Sequence, residues 1–397
     1  MKLMQPPPII PIATGRFAAQ LALFYAATFA LAGTYMPFFP LWLTAAGLEP
    51  GWIGIVAATP TVARLIAVPI VTAQAERRHA IRGAIVVTAV LTFIGFAMLG
   101  QVHGATAIIL TLWLTACAWT PILPLTDAYA LRGVTLYRIN YGPIRLWGSA
   151  AYAVGALAAG TFASQIAPDR LIWIIAGAAG LGALASLWIA PIDAGMPVRG
   201  SVSRALALLR DPAFLAVISA AALIQGSHAA YYTFTAIGWQ AAGFGPFTIA
   251  MLWALCVAVE IVLFASSPRM GIAPAMLIAI GGAAAALRWI AMAQEPSIGL
   301  LVIVQPLHAL SFGATHLGTM GLLARLAPGH VVASAQGYLA VTIGVVSAVA
   351  SILCGQFYGA VGLSIYYGMA VMAVTGCAAM LEMRGRVERR ASSSSIP

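Results

Sequence analysis

The stretch Leu252–Phe264, LWALCVAVEIVLF, is apolar apart from the carboxylate of Glu260. It lies within a longer apolar run, about 246–267, which as an α-helix can cross the ~30 Å hydrocarbon core of a bilayer. A charge at that depth costs at least ~3 kcal/mol and persists mainly beside a partner or a water-filled path. The run therefore predicts a membrane-spanning helix and makes Glu260 a functional candidate.

The rest of the chain has the same apolar character. Of its 397 residues, 62% are hydrophobic and 8% are charged, and the mean hydropathy is +0.96. A soluble domain carries about 25% charged residues. The apolar runs are longer than the ~10 residues of a barrel strand, so they are helices. The sequence predicts an all-α membrane protein with twelve spans, at about 17–44, 51–74, 81–101, 105–131, 142–166, 170–190, 212–240, 246–267, 272–293, 297–325, 333–357 and 362–383.

The basic residues predict the topology of these spans. Of the 20 Lys and Arg residues, Arg64 and Arg288 lie within spans and Arg170 lies in an external loop. The other 17 fall on the side of the two termini. Basic residues accumulate in cytoplasmic loops, so both termini are predicted to be cytoplasmic. The net charge of +10 is accounted for in this way, and no nucleic-acid partner is expected.

An internal repeat divides the chain into two halves. A shift of 196 residues places Pro50 on Pro246 and Arg64 on Glu260, so a buried cation and a buried anion occupy matching positions on spans 2 and 8. Parallel repeats of this kind enclose a substrate site near the bilayer midplane. The predicted units are a cytoplasmic tail (1–15), a first six-helix bundle (16–190), a cytoplasmic linker (191–211), a second six-helix bundle (212–384) and a cytoplasmic tail (385–397).

Several further polar or aromatic residues lie in the spans. Span 7 contains GSHAAYYTFTAIGWQ, whose side chains could line a cavity for an aromatic ring or could simply be packing residues. No metal site or disulfide is expected, because the four cysteines fall in spans at no metal-like spacing. The candidate residues are Arg64, Asp127, Arg145, Tyr152, His228, Tyr231, Tyr232, Trp239, Glu260, Arg288, His308 and His316.

Six stretches resemble one known family. They are PFFPLWL (37–43), LPLTDA (123–128), YGPIRLWGS (141–149), QGSHAAYYTFTAIGWQAAG (225–243), LRWIA (287–291) and LHALSFGATH (307–316). They are similar to the phenylpropionate permease family of the major facilitator superfamily, a branch akin to lactose permease. The resemblance covers nearly the whole chain, and it implies two pseudo-symmetric six-helix bundles in a bacterial cytoplasmic (inner) membrane.

The resemblance also implies roles for individual residues. Asp127 and Arg145 match the charged pair that binds sugar in lactose permease, and Tyr152 matches its stacking tryptophan. Glu260, Arg288 and His308 match a span 8 carboxylate, a span 9 arginine and a span 10 histidine. Three residues after that histidine, lactose permease has a carboxylate implicated in proton transfer, where this chain has Ser311. Glu260 is then the best remaining proton carrier.

Each candidate residue also has a plainer interpretation. Glu260 could form a static ion pair with Arg288, and Asp127 with Arg145 could close a gate without touching substrate. Arg64 could snorkel towards the cytoplasm or form an ion pair, or it could act in gating or contact the substrate. A gating or ion-pair role is also open to His316. His308 could be a satisfied buried histidine rather than a proton-coupling residue. The charged residues counted within the spans are Arg64, Arg145 and Arg288 on one side and Asp127 and Glu260 on the other. This surplus of positive charge favours an anionic substrate, since the planar guanidinium of arginine fits a carboxylate.

The leading hypothesis is a secondary transporter that carries an aromatic carboxylate such as 3-phenylpropionate together with a proton, by alternating access. The alternatives are a sugar or nucleoside symporter and, in another class, an intramembrane enzyme using His308 or His316. The chain has no GxxxxGK[ST] pattern, so ATP is not the direct energy source. The expected partners are a small organic anion, protons and lipids, with no cofactor, and the monomer is expected to function.

Overall fold

The computed structural model describes residues 11–139, 141–192, 207–327 and 331–393, and within these ranges every regular element is helical. The spans are numbered here in chain order. Their helices are Pro11–Ala45 (span 1), Pro50–Arg77 (2), Ile81–Leu99 (3), Ala105–Trp119 with Ile122–Tyr137 (4), Tyr141–Ala163 (5), Leu171–Leu187 (6), Pro212–Gly226 with Ala229–Ala241 (7), Pro246–Ser266 (8), Pro274–Met292 (9), Ile298–Val304 with Thr315–Leu326 (10), Val332–Val361 (11) and Ile365–Ser393 (12).

The count of twelve crossings depends on the last stretch. Among the described residues, 11 helical stretches are long and apolar enough to cross a membrane, and the eleventh, Ser334–Arg389, has 56 residues. At 1.5 Å per residue such a helix would be about 84 Å long, far more than the ~30 Å hydrocarbon core. The chain turns there at Gly362, whose φ of 53° favours glycine, followed by a 3-10 turn over Gly362–Ser364. This stretch therefore makes two crossings.

The ends of the chain differ in part from the predicted units. The first helix begins at Pro11, inside the predicted tail of 1–15, and residues 1–10 lie outside the described ones. The last helix continues to Ser393, where the sequence predicts a tail from 385. An exposed pair supports this extension, with Arg384 Nε donating to Glu388 Oε1 over 2.8 Å. Residues 193–206 of the predicted linker also lie outside the described ones, so that boundary stays a prediction.

Three of the predicted spans are interrupted rather than continuous. Span 4 breaks between Trp119 and Ile122, and span 10 breaks after Val304. Both breaks contain a proline, Pro121 or Pro306, which removes a backbone donor and disturbs the preceding turn. Span 7 breaks at Ser227 and His228 without a proline. Interruptions at membrane depth are tolerated where the backbone is buried in protein or lines a cavity.

The two halves contact each other closely near one face. A Cβ on Gly54 of span 2 would lie 2.5 Å from the Ser351 carbonyl oxygen of span 11, and one on Gly160 of span 5 would lie 2.5 Å from the Ala250 Cβ of span 8. Small residues permit such close approach of membrane helices. These contacts lie near the loops before spans 2 and 8, on the face opposite the two termini. The protein is therefore closed at that face.

If the protein is the transporter that the sequence predicts, replacing Gly54 by leucine should reduce transport at least tenfold, because the larger side chain prevents spans 2 and 11 from closing this face. Accessibility of a cysteine introduced in the cavity, measured with a membrane-impermeant thiol reagent, should rise in parallel. The matched control is Gly177→Leu, since a Cβ there meets nothing within 4 Å. Normal transport by Gly54→Leu would contradict the assignment of this contact as a closure point.

Candidate functional site

A cavity with two lobes lies between the halves. The larger lobe has a volume of about 390 Å³ and is walled by spans 1, 2, 4, 7 and 11. The smaller has about 190 Å³ and is walled by spans 1, 5, 7, 8 and 10. Phe29, Met36 and Tyr232 line both lobes, so the lobes adjoin. The joint volume is in the range of small-molecule sites, which are about 300–1,000 Å³.

The larger lobe combines one cation with an aromatic wall. Arg64 is its charged lining residue. Tyr35 stacks on Phe39 with ring centroids 4.5 Å apart and meets Trp119 edge to face at 4.7 Å. The wall is mostly apolar, and its polar groups other than Arg64 are mainly hydroxyls of spans 1, 2, 4, 7 and 11.

The smaller lobe carries a carboxylate–histidine pair. Glu260 and His308 both line it, and Glu260 Oε2 lies 3.5 Å from His308 Nε2. The other ring nitrogen, His308 Nδ1, lies 3.1 Å from Arg288 Nη1. The three residues therefore form a chain in the order Glu260, His308, Arg288. The directly bonded Glu260–Arg288 pair considered from the sequence is wrong, because the histidine stands between them.

Arg288 determines where the proton of His308 lies. A guanidinium only donates hydrogen bonds, so His308 Nδ1 must be the acceptor and the ring proton sits on Nε2, facing Glu260. A second proton on Nδ1 would point at the N–H of Arg288 and would break that hydrogen bond. Of these three residues, Glu260 can therefore gain or lose a proton without loss of the hydrogen bond between His308 and Arg288. His308 orients Glu260.

Arg288 is fully buried and does not line either lobe. Its Nη2 donates to Gln305 Oε1 over 2.7 Å, and its Cζ lies 4.1 Å from the centroid of Tyr231 and 4.7 Å from that of Trp289. No carboxylate lies within 4 Å of it in the described part of the chain. Contacts with two aromatic faces stabilise a desolvated cation by about 2 kcal/mol or more. Arg288 therefore lies behind the cavity wall in this conformation, and its contact with substrate stays a prediction.

Ser311 belongs to a second series of hydrogen bonds, separate from the contacts of Glu260, His308 and Arg288. His228 Nδ1 donates to the carbonyl of Ile224 over 3.1 Å, so His228 Nε2 accepts from the Ser311 hydroxyl at 3.1 Å. Ser311 lies in a π-helical turn, Ala309–Ala314, directly after His308. π-helical turns often occur at functional sites. The serine thus ties span 10 to the break in span 7.

Asp127 and Arg145 do not form an ion pair within the described residues. Asp127 Oδ1 accepts hydrogen bonds from the hydroxyls of Tyr25 at 2.5 Å and Tyr141 at 2.8 Å. The Arg145 Cζ lies 4.0 Å from the ring centroid of Phe29 and 5.5 Å from that of Tyr25. Neither charge lines either lobe. Asp127 and Arg145 therefore do not pair directly in this conformation. Instead, Tyr25 contacts both residues.

The remaining candidates divide between the cavity wall and the layers behind it. Tyr152, Tyr231 and Tyr232 line the smaller lobe, as the aromatic cavity hypothesis expects. His228 and Trp239 are buried and line neither lobe. His316 is exposed on span 10 and stacks near Phe312 and Phe264.

Sequence reasoning missed the wall of the larger lobe. Tyr35 and Phe39 lie four residues apart on span 1, and Arg64 shares a helical face with Pro60 and Ala57 of span 2. A face analysis at 3.6 residues per turn would have grouped these residues. It could not have shown that the faces of spans 1, 2, 4 and 11 meet at one cavity.

Comparisons with known proteins agree with this architecture. Residues 18–369 match the MFS_1 like family. The chain is 30% identical over 362 residues to the probable 3-phenylpropionic acid transporter of Escherichia coli (strain K12), covering 89% of this chain and 94% of that protein. It is 25% identical over 321 residues to a maltose permease of Geobacillus stearothermophilus, covering 79% and 80% respectively.

Solved structures show the same fold. A mutant form of the nucleoside transporter NupG superposes with a TM-score of 0.82 at 17% identity, over 92% of this chain and 99% of that one. The POT family transporter PepTSo superposes with a TM-score of 0.73 at 12% identity, over 96% and 99%. These relatives are transporters, so the alternative of an intramembrane enzyme is wrong. The chain belongs to the MFS_1-like family and is a multi-pass membrane transporter of the major facilitator type.

Proposed function

We propose that this transporter carries an aromatic monocarboxylate, such as 3-phenylpropionate, in symport with a proton. The observation that carries the proposal is the content of the cavity: an aromatic wall, one exposed cation in one lobe and a histidine-held carboxylate in the other. The similarity to a probable 3-phenylpropionic acid transporter supports the same substrate class.

Protonation of Glu260 is the step that couples proton and substrate. With Glu260 ionised, the cavity holds one positive and one negative side chain, Arg64 and Glu260. With Glu260 protonated, Arg64 remains as the charge of the cavity wall, and an organic anion restores neutrality. A bound anion also repels the ionised form of Glu260, because charges interact strongly across a cavity with apolar walls. Proton and anion therefore favour each other's binding, as symport requires.

Closure at one face fits an inward-facing or an occluded state of this cycle. The face opposite the termini is closed by the glycine contacts of spans 2, 5, 8 and 11. With both termini in the cytoplasm of a bacterial inner membrane, that closed face is the external one. The two halves then rock about the cavity within one monomer, with 16–190 and 212–384 as the moving units.

A sugar or nucleoside symporter is the second candidate, favoured by the 25% identity to a maltose permease. In the sequence, this candidate is supported by Asp127 and Arg145, which match the charged pair that binds sugar in lactose permease. Both residues lie outside the cavity walls in this conformation, and the walls are mostly apolar, which suits a ring better than a polyol.

Uptake by the purified protein in proteoliposomes tests the proposal. An inward proton gradient should drive accumulation of labelled 3-phenylpropionate, and unlabelled acid should compete in counterflow while maltose and uridine do not. Empty liposomes correct for passive entry of the undissociated acid. Competition by maltose or uridine, without competition by the acid, would establish the second candidate instead.

A further inference from the structure

We infer that Arg64 is the receptor for the substrate's carboxylate and that the aromatic cluster of Tyr35, Phe39 and Trp119 holds its ring. This places the anion in the larger lobe, at an arginine of the first six-helix half, whereas Glu260, His308 and Arg288 belong to the second half. The inference rests on the proposed aromatic acid substrate, and it assigns substrate binding to Arg64, one of the roles that the sequence leaves open beside gating and an ion pair.

The direction of the Arg64 side chain follows from its helix. Span 2 contributes Ile53, Ala57, Pro60, Thr61 and Arg64 to the wall of the larger lobe. These positions are separated by four, three, one and three residues, so they form a single face at 3.6 residues per turn. Arg64 therefore lies on the cavity face of span 2.

Arg64 has no partner in the part of the chain that the structure describes. It takes part in no hydrogen bond, ion pair or aromatic contact there, whereas Arg145 stacks on Phe29 and Arg288 donates to His308 and Gln305. A guanidinium offers five N–H donors in a planar fork that fits a carboxylate with two parallel hydrogen bonds. Its donors are free for a ligand.

Several hydroxyl groups that line the larger lobe also have no hydrogen-bond partner among the described residues. Most threonines in the spans donate to the carbonyl four residues earlier, as Thr59 does to Ile55 and Thr72 to Val68. Seven hydroxyls line the lobe and make no hydrogen bond to any described residue, those of Thr28, Tyr35, Thr61, Tyr232, Thr233, Ser347 and Ser351. Unsatisfied donors facing an apolar-walled cavity are expected to bind polar ligand atoms. Together with Arg64 they form a donor set for a carboxylate.

The aromatic cluster fits the other end of such a ligand. Tyr35 contacts Phe39, Trp119 and also Phe96, so its ring is held from several sides. Ring centroids about 4.5 to 7 Å apart are favourable for aromatic pairs, and a ligand ring can join such a cluster in the same geometry. The smaller lobe is lined by the charged residue Glu260 and by no cation among the described residues. A monocarboxylate with a ring is thus matched by the larger lobe.

Binding measured on the purified full-length protein tests this inference. Calorimetric titration with 3-phenylpropionate is compared with the uncharged analogue 3-phenylpropan-1-ol. Wild type should prefer the acid by about tenfold or more. Arg64→Gln should lose affinity for the acid by about 10–100-fold, with affinity for the alcohol changed less than about twofold. The control is Arg77→Gln, at the exposed end of the same helix, where both affinities should stay unchanged.

Each outcome is decisive. If wild type binds the acid and Arg64→Gln binds it equally, the inference fails and the proposed function stands. Loss of acid binding in Arg145→Gln, with none in Arg64→Gln, would move the receptor to Arg145. If wild type binds maltose or uridine and no aromatic acid, both proposals fail. Should Arg64→Gln not fold, Arg64→Lys replaces it: the compact ammonium should bind the acid about 3–10-fold more weakly than wild type, and unchanged affinity would overturn the inference.

Discussion

Glu260→Gln is expected to abolish uphill accumulation of the acid while exchange of acid across the membrane continues. Glutamine keeps the shape of a protonated glutamate and can still accept from His308 Nε2, but it cannot release a proton. In an electroneutral symport of one proton with one anion, each unit of pH gradient supports a concentration ratio of about ten. The mutant should reach a ratio of about one at any pH gradient, measured with labelled 3-phenylpropionate in proteoliposomes.

The exchange measurement separates coupling from folding. Counterflow of labelled against unlabelled acid needs a bound substrate and a rocking protein but no net proton movement, so Glu260→Gln should retain it at a comparable rate. Glu49→Gln serves as the control, because Glu49 is an exposed glutamate in the loop before span 2. Accumulation by Glu260→Gln equal to that of wild type would remove Glu260 from the role of proton carrier.

His308→Phe is expected to destabilise the protein and to stop transport, whereas His308→Gln should preserve much of both. Phenylalanine leaves the buried Arg288 Nη1 without its acceptor and removes the ring nitrogen that lies 3.5 Å from Glu260 Oε2. An unsatisfied buried polar group costs about 1–3 kcal/mol, and the loss at Arg288 is of this kind. A lower midpoint of thermal unfolding in detergent, together with uptake below about 5% of wild type, is the expected result.

The glutamine variant separates positioning from proton transfer at His308. An amide has one acceptor and one donor group, so the side chain introduced by His308→Gln would accept from Arg288 and donate to Glu260, as the neutral imidazole does. It cannot titrate near neutral pH. Proton-driven accumulation by His308→Gln at more than about a tenth of the wild-type rate supports a positioning role. Accumulation lost with counterflow intact, as for Glu260→Gln, would instead make His308 a second proton carrier.

Predictions about the fold that rested on composition and periodicity were largely confirmed. Helices lie at the predicted spans, and the family matches support the major facilitator architecture. The misses concern local continuity. Spans 4, 7 and 10 are broken, and the last helix extends to Ser393. Hydropathy averages over about 19 residues, so it registers the thickness of the membrane but not a single missing hydrogen bond inside a span.

For the site, the sequence indicated which residues are unusual but not which of them meet. Glu260 is isolated in Leu252–Phe264, and its depth alone made it a candidate. The order of the spans and the resemblance pointed to Arg288 and His308 as its neighbours, but not to which of them contacts it, because both lie on other spans. The structure places His308 between Glu260 and Arg288, with distances of 3.5 and 3.1 Å.

The sequence by itself determined the solvent, the helical class and the presence of a carboxylate that has to be explained at membrane depth. These follow from transfer energies and periodicities, which are local properties of the chain. Only the tertiary structure decided that Arg288 and Asp127 have protein partners while Arg64 faces an aromatic cavity without one among the described residues. That difference depends on side chains from distant spans converging within hydrogen-bond distance, which no one-dimensional pattern contains. The sequence of span 8 alone identified Glu260 as a candidate, and the tertiary structure placed His308 beside it.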